Sequence, residues 1–314
     1  MAKANFLNNV SIRGYVFSTR NLEKRVSKAG NEYIGGTLNV ATDDDALNVV
    51  PVNFTYVTPT DRNGNPKSTY QYLESVINGD VKTYEAVGTD AGRVRIDGDI
   101  EVNDWVSRDG ELISNKRVRG SFVHALNANE SIGDAPATFE CDMLAQSAVE
   151  RESRDGSTYL EVRGFAFNFR DDLVPVNFSV TSEGGRQFFE NEDISTASPY
   201  FGKVWGDIKS TIVQSNREVD TSNVGFGAAR VKTTSSTIRT WEIAGASVNL
   251  GLGEDTITMN ELKAADERRQ QTLAEVRARY EARQGNTTPT GFPASAAPAA
   301  KPRAAAVSPA DFKF

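Results

Sequence analysis

Val50-Pro51-Val52-Asn53-Phe54 returns letter for letter at Val174-Pro175-Val176-Asn177-Phe178, and the flanks of the two copies match as well. Upstream, the turn from Lys28 through Gly30 that leads to Tyr33 and Ile34 runs parallel to Arg154 through Gly156 leading to Tyr159 and Leu160. Downstream, Gly98-Asp99-Ile100 returns as Gly206-Asp207-Ile208, and Val118 to Phe122 has a looser counterpart in Ile238 to Glu242. Self-similarity at a fixed period decides architecture before any local propensity does. The chain therefore reads as two copies of one β-rich module of roughly 110 to 130 residues.

Within the first copy, Val10, Ile12 and Val16 alternate with Ser11, Arg13, Tyr15 and Phe17, the period of a half-buried strand. Ile34, Leu38 and Val40 mark a second strand, Asp43-Asp44-Asp45 a turn, and Leu47 to Val57 a third strand. Tyr70, Leu73, Val76 and Ile77 then fall at helical spacing until Asn78-Gly79 stops the helix. Arg93 to Val106 and Leu112 to Leu126 form a closing hairpin about Asp109-Gly110. Five strands with one helix after the third is the layout of an oligonucleotide/oligosaccharide-binding barrel. The expectation is a mainly β protein of two tandem barrels, 1–130 and 131–253, then a C-terminal helix over 254–285 and a flexible tail over 286–314. In the second copy the helix shrinks to about Gly184–Asn191, and the last hairpin grows through 219–229.

Composition narrows the function classes. The 314 residues are 39% hydrophobic and 25% charged, enough to bury two cores. The N-terminus lacks an apolar signal-peptide run, and no stretch of about 18 apolar residues offers a membrane span. A cytoplasmic protein with no membrane partner is expected, in the host cytoplasm if a bacteriophage encodes it. One cysteine, Cys141, and one histidine, His124, leave nothing for disulfides, thiolate zinc sites or histidine triads. The part before Glu254 holds 34 acidic and 26 basic residues, a net charge of −8, which argues against diffuse binding to duplex DNA. It leaves room for a groove in which base stacking supplies the affinity.

The stretch Val94 to Gly110, with Trp105 ahead of an Asp-Gly turn and a basic strand after it, resembles the bacterial and bacteriophage single-stranded DNA-binding proteins. It looks like that family's fourth strand, its tryptophan and its long hairpin. Val10 to Val16 and the turn at Lys28 are similar to its first strand and first loop. The likeness covers residues 10–126 and reaches 138–250 through the internal repeat. It implies single-stranded DNA as ligand, no cofactor, no metal and no catalysis. Asp311-Phe312-Lys313-Phe314 looks like a reduced form of the family's docking tail, which implies that Asp311, Phe312 and Phe314 engage replication or recombination proteins.

Strand parity selects the binding residues. With Val10, Ile12 and Val16 inward, Arg13, Tyr15 and Phe17 face outward, as does Tyr33 on the second strand. With Ile96, Ile100 and Val102 inward, Arg95 and Trp105 face outward, opposite Arg117 and Arg119 on the returning strand. Cations beside rings are what a stacked, charged strand requires. In the second copy Lys203, Trp205 and Lys209 repeat that parity, and Arg239 joins the set, sharing with Trp241 a face whose direction parity leaves open. Phe165, Phe167 and Phe169 make their strand apolar on both faces, either buried by another module or offered to bases. The acidic runs Asp43–Asp45 and Asp171–Asp172 are consecutive and sit at hairpin tips, where aspartate serves turn geometry rather than metal-assisted catalysis.

Thr258 and Glu261 form a capping box ahead of a helical stripe of Leu262, Leu273, Val276 and Tyr280, which packs or self-associates. Asn286 to Ala310, rich in Pro, Ala, Ser and Thr, reads as a tether. Two functions fit this pattern. One is a non-catalytic protein that coats and protects single-stranded DNA in phage replication or recombination. The other, favoured by the acidic body, is a virion or replication component whose barrels bind protein.

Overall fold

Period-two alternation produces ten strands in the computed structural model, which describes residues 6–127, 130–153, 156–218 and 231–285; side chains at 211–218, 231–238 and 285 are left aside. The protein is mainly β. Strands β1 (Asn8–Val26), β2 (Glu32–Ala41), β3 (Val49–Val57), β4 (Arg93–Val106) and β5 (Leu112–Ala125) pair in the order β2-β3-β5-β4-β1, and β1 returns to β2, closing a circuit. Strands β6 (Ala137–Glu152), β7 (Thr158–Phe167), β8 (Leu173–Val180), β9 (Tyr200–Glu218) and β10 (Val231–Ala246) close a second circuit in the same order. Each contains one parallel pairing, β3 with β5 and β8 with β10. Helix α1 (Ser68–Asn78) and the short α2 (Tyr84–Val87) follow β3, and α3 (Glu183–Asn191) follows β8.

The repeated pentapeptide explains its own retention. Val50, Val52 and Phe54 are at most 2% exposed and Val174, Val176 and Phe178 at most 3%, so both copies supply the same core face. The outward asparagine is used as well. Asn53 accepts from Thr37 Oγ1 at 3.1 Å and donates to the Val118 carbonyl at 3.3 Å, bridging β2 and β5 where the circuit closes.

The two circuits meet at a seam where β1 pairs antiparallel with β6, Asn8 opposite Cys141, Val10 opposite Phe139 and Ile12 opposite Ala137. Val10 precedes the β1 irregularity at Val16 by as many residues as Phe139 precedes the β6 irregularity at Ala145, so the seam reads alike from both sides. That is an isologous contact made within one chain. The repeated Gly-Asp-Ile has a steric cause. A Cβ on Gly98 would lie 1.9 Å from the Arg119 carbonyl oxygen, and one on Gly206 1.8 Å from that of Glu242.

The loose match of Val118 with Ile238 shifts by three residues. Ile100 pairs with Val118 and Ile208 with Trp241, so Trp241 is the true counterpart of Val118. It points into the core, 7% exposed, against Phe139 at 5.4 Å and Phe178 at 6.2 Å.

Helix α4 (Met259–Gly285) starts on the expected capping box: Glu261 N–H donates to Thr258 Oγ1 at 3.3 Å, and Thr258 N–H to Glu261 Oε2 at 2.8 Å. Leu262, Ala265, Arg269 and Leu273 form its buried stripe. Through Arg269 it grips the β4–β5 hairpin, and through Arg268, 2.6 Å from Asp172, the β7–β8 turn. No helix among the described residues is long and apolar enough to cross a membrane.

Candidate nucleic-acid interface

On the first circuit, parity places the expected residues on the outer side, but their surroundings differ. Arg13 is exposed. Tyr15 is 7% exposed, a correction to its reading as an open platform: its hydroxyl donates to Asp44 Oδ1 at 2.8 Å and Tyr84 of α2 covers its ring at 5.8 Å. Burial, then the bond to Asp44, raises its pKa. Phe17 is half-buried and stacks on the same Tyr84 at 5.9 Å. Sequence parity could not anticipate a one-turn helix folding over these rings. The acidic turn there is structural, since Asp43 accepts the Leu47 and Asn48 N–H groups at 2.8 and 2.6 Å.

Tyr33 is half-buried, its ring 4.5 Å from that of Tyr56, which is 49% exposed. Parity missed Tyr56, because it shares the register of the inward Val52 and Phe54 until the pairing of β3 with β2 shifts between Phe54, opposite Gly36, and Val57, opposite Ile34. Trp105 is half-buried near the end of the β4–β5 hairpin, opposite Ile113.

Among the expected contact cations, five already hold a carboxylate. Arg95 lies 3.1 Å from Asp97, Arg117 2.7 Å from Glu101 and Lys203 3.2 Å from Glu140, while Arg119 pairs with Asp99 and Lys209 with Glu242. This is how a body of net charge −8 carries a basic strand. Arg119 and Arg117 stand directly opposite Asp99 and Glu101 across the β4–β5 hairpin. Arg239 is exposed and lies near Arg20 of β1, also exposed; among the described residues neither has a carboxylate partner.

Strand β9 alternates cleanly. Lys203, Trp205 and Lys209 are exposed while Val204 and Ile208 are buried. Trp205, 43% exposed, lies over Gly245, where a Cβ would come within 2.4 Å of the indole. It borders a groove of about 770 Å³ along the seam that also contains Asp97, Glu140 and Asp207, whose carboxylates disfavour phosphate there.

The three phenylalanines divide. Phe165 and Phe167 are 2% and 0% exposed beneath Leu262 and Ala265 of α4, so they belong to a second core and are not stacking platforms. Phe169 is 62% exposed, with the guanidinium of Arg119 at 5.8 Å and that of Arg170 at 5.0 Å. Trp241 is likewise core rather than platform. Asp311, Phe312 and Phe314, and the hairpin extension at 219–229, lie outside the described residues. Among those described, no three His, Cys, Asp or Glu side chains gather as a metal ion would need.

Lys116 was missed altogether. It projects from β5 into the second circuit, where its ammonium donates to the backbone oxygen of Asn177 and, at 2.6 Å, to Asn177 Oδ1, beside the faces of Phe178 and Trp241. Burial lowers its pKa to about 7, against a smaller upward pull from Glu161.

A family model described as YorF matches residues 7–279. Among solved structures the fold is similar to a deletion mutant of the single-stranded DNA binding protein from Thermus aquaticus, with a TM-score of 0.44 and 14% identity over 80% of this chain and 97% of that one. The wild-type form of that protein gives a TM-score of 0.43 and 13% identity over 80% and 96%. No curated protein matches the chain.

Proposed function

The chain belongs to the YorF family, and we propose that it binds single-stranded DNA, each circuit serving as an oligonucleotide-binding barrel. The observation that carries this reading is the outer face of β9, where an exposed indole stands between two exposed lysines, each paired at the surface with a carboxylate, on one side of the strand. Stacking platforms flanked by cations are how such barrels hold a strand without reading its sequence. Arg20 and Arg239, neighbours with no carboxylate partner among the described residues, support it, since adjacent like charges favour a bound anion. In this reading the protein coats and protects single-stranded DNA during phage replication or recombination in the host cytoplasm and performs no catalysis. A second reading, a protein-binding component of a virion or replication complex, is favoured by the carboxylates that already occupy five of the expected contact cations.

Trp205→Ala is expected to weaken binding of a thymidine homopolymer by about 1–3 kcal/mol, the range for one lost stacking platform. Because the indole is half-exposed, the unfolding transition should stay in place. Undiminished affinity would remove β9 from the interface and leave the protein-binding reading in possession of that face.

A further inference from the structure

We propose, resting on the single-strand reading, that Asp99 and Glu101 hold the place of phosphate on the β4–β5 hairpin, and that a DNA strand binds there by displacing them from Arg119 and Arg117. Three observations converge. Each carboxylate lies directly opposite its arginine in the cross-strand register. Asp99 meets Arg119 through two hydrogen bonds, and Glu101 accepts from Arg117 Nε at 2.9 Å, the bidentate and charge-assisted geometry that a phosphate would reproduce. Both pairs also keep part of every side chain in solvent: side-chain exposures are 30% and 21% for Arg119 and Asp99, and 29% and 26% for Arg117 and Glu101.

That openness separates them from the Arg269–Asp104 pair, whose side chains are 6% and 7% exposed. A sealed pair cannot exchange partners without stranding a buried charge, whereas a half-exposed one contributes little and is cheap to swap. Phe169 completes the site. Its exposed face beside the Arg119 guanidinium gives a base somewhere to stack while its phosphate takes the arginine. Asp99 and Glu101 are therefore positioning residues: they keep the arginines extended and compensated when no strand is bound, and they set affinity without touching DNA.

The test uses the full chain and a thymidine homopolymer, with affinity measured across a salt series. Asp99→Asn with Glu101→Gln should tighten binding about tenfold at low salt and steepen the slope of log K against log salt by about 1.4, two contacts at about 0.7 each. Glu101→Gln alone, which removes the more exposed carboxylate and is the safer fold, should give about half that steepening. Adding Arg117→Gln and Arg119→Gln should return the slope to the wild-type value. Neutralising two exposed acids elsewhere, Glu85→Gln with Glu254→Gln, makes the same change in net charge and should leave the slope alone. An equal gain in that control would show that net charge, not carboxylate displacement, is responsible, and would overturn the proposal. Wild-type binding with an unchanged slope in the hairpin variants overturns it too, leaving the single-strand reading intact. If neither wild type nor variant binds the homopolymer, both fall together.

Discussion

Arg269→Ala is expected to lower the unfolding free energy by about 3–5 kcal/mol, because it strands a buried carboxylate. Arg269 donates to both oxygens of Asp104 at 2.6 Å and to Ser114 Oγ at 3.0 Å, and both partners are almost fully buried between α4 and the β4–β5 hairpin. Removing one partner leaves the other charge without its counter-ion at a site whose side chains are 6% and 7% exposed. Removing both, as Arg269→Met with Asp104→Leu, should recover most of the loss, since an apolar pair of similar volume avoids the desolvation cost. Urea unfolding of the two variants checks this. If Arg269→Ala loses less than about 1 kcal/mol, the pair is worth no more than a surface ion pair and α4 does not lock the hairpin.

The second large effect depends on pH. Lys116 keeps a folded-state pKa of about 7 against an ordinary 10.5, burial being the main cause. Of the groups packed around it, Glu161 on β7 pulls the other way, but that carboxylate is already held by Arg163 at 2.7 Å and Arg151 at 3.2 Å; Asn177 on β8 contributes only neutral oxygens. Between pH 7 and 10 the unfolded chain therefore retains a proton that the folded chain has released. Stability should rise with pH across that window, by about 1.4 kcal/mol per unit from this group at most. Below pH 7 both forms are protonated and the contribution is flat. Lys116→Met should abolish the rise, as read from urea midpoints at pH 7 and 9. A variant that keeps the wild-type slope would mean that the ammonium is hydrated and that the contact between circuits does not depend on its charge.

The residues that repeat were legible because their constraints are local. The valines and phenylalanine of the pentapeptide face one core, Gly98 and Gly206 sit where no side chain fits, and Thr258 and Glu261 cap their own helix. What sequence parity could not supply was the arrangement of one circuit against the other. Tyr15 reads as outward and is outward, yet α2 closes over it. Phe165 and Phe167 have the outward parity of Tyr33, and α4 turns that face into a second core. Lys116 carries no sequence signal, since a lysine on a hairpin is ordinarily solvated, and only the packing of β5 on β8 buries its amine. Arg117 and Arg119 were read as a basic track because opposite acids on β4 acquire meaning only once the register is known.

Single-strand binding is tested by titrating the full chain with a thymidine homopolymer while following tryptophan fluorescence at several salt concentrations. Trp205 and Trp105 lie on the outer side and Trp241 is buried, so partial quenching is expected, with a duplex of equal length competing poorly. Among the described residues of these outer faces, Arg13, Arg20 and Arg239 have no carboxylate partner, and three such phosphate contacts set the slope of log K against log salt at about −2. Absence of quenching at every salt concentration, or equal competition by the duplex, would rule out single-strand binding as proposed and direct attention to a protein partner.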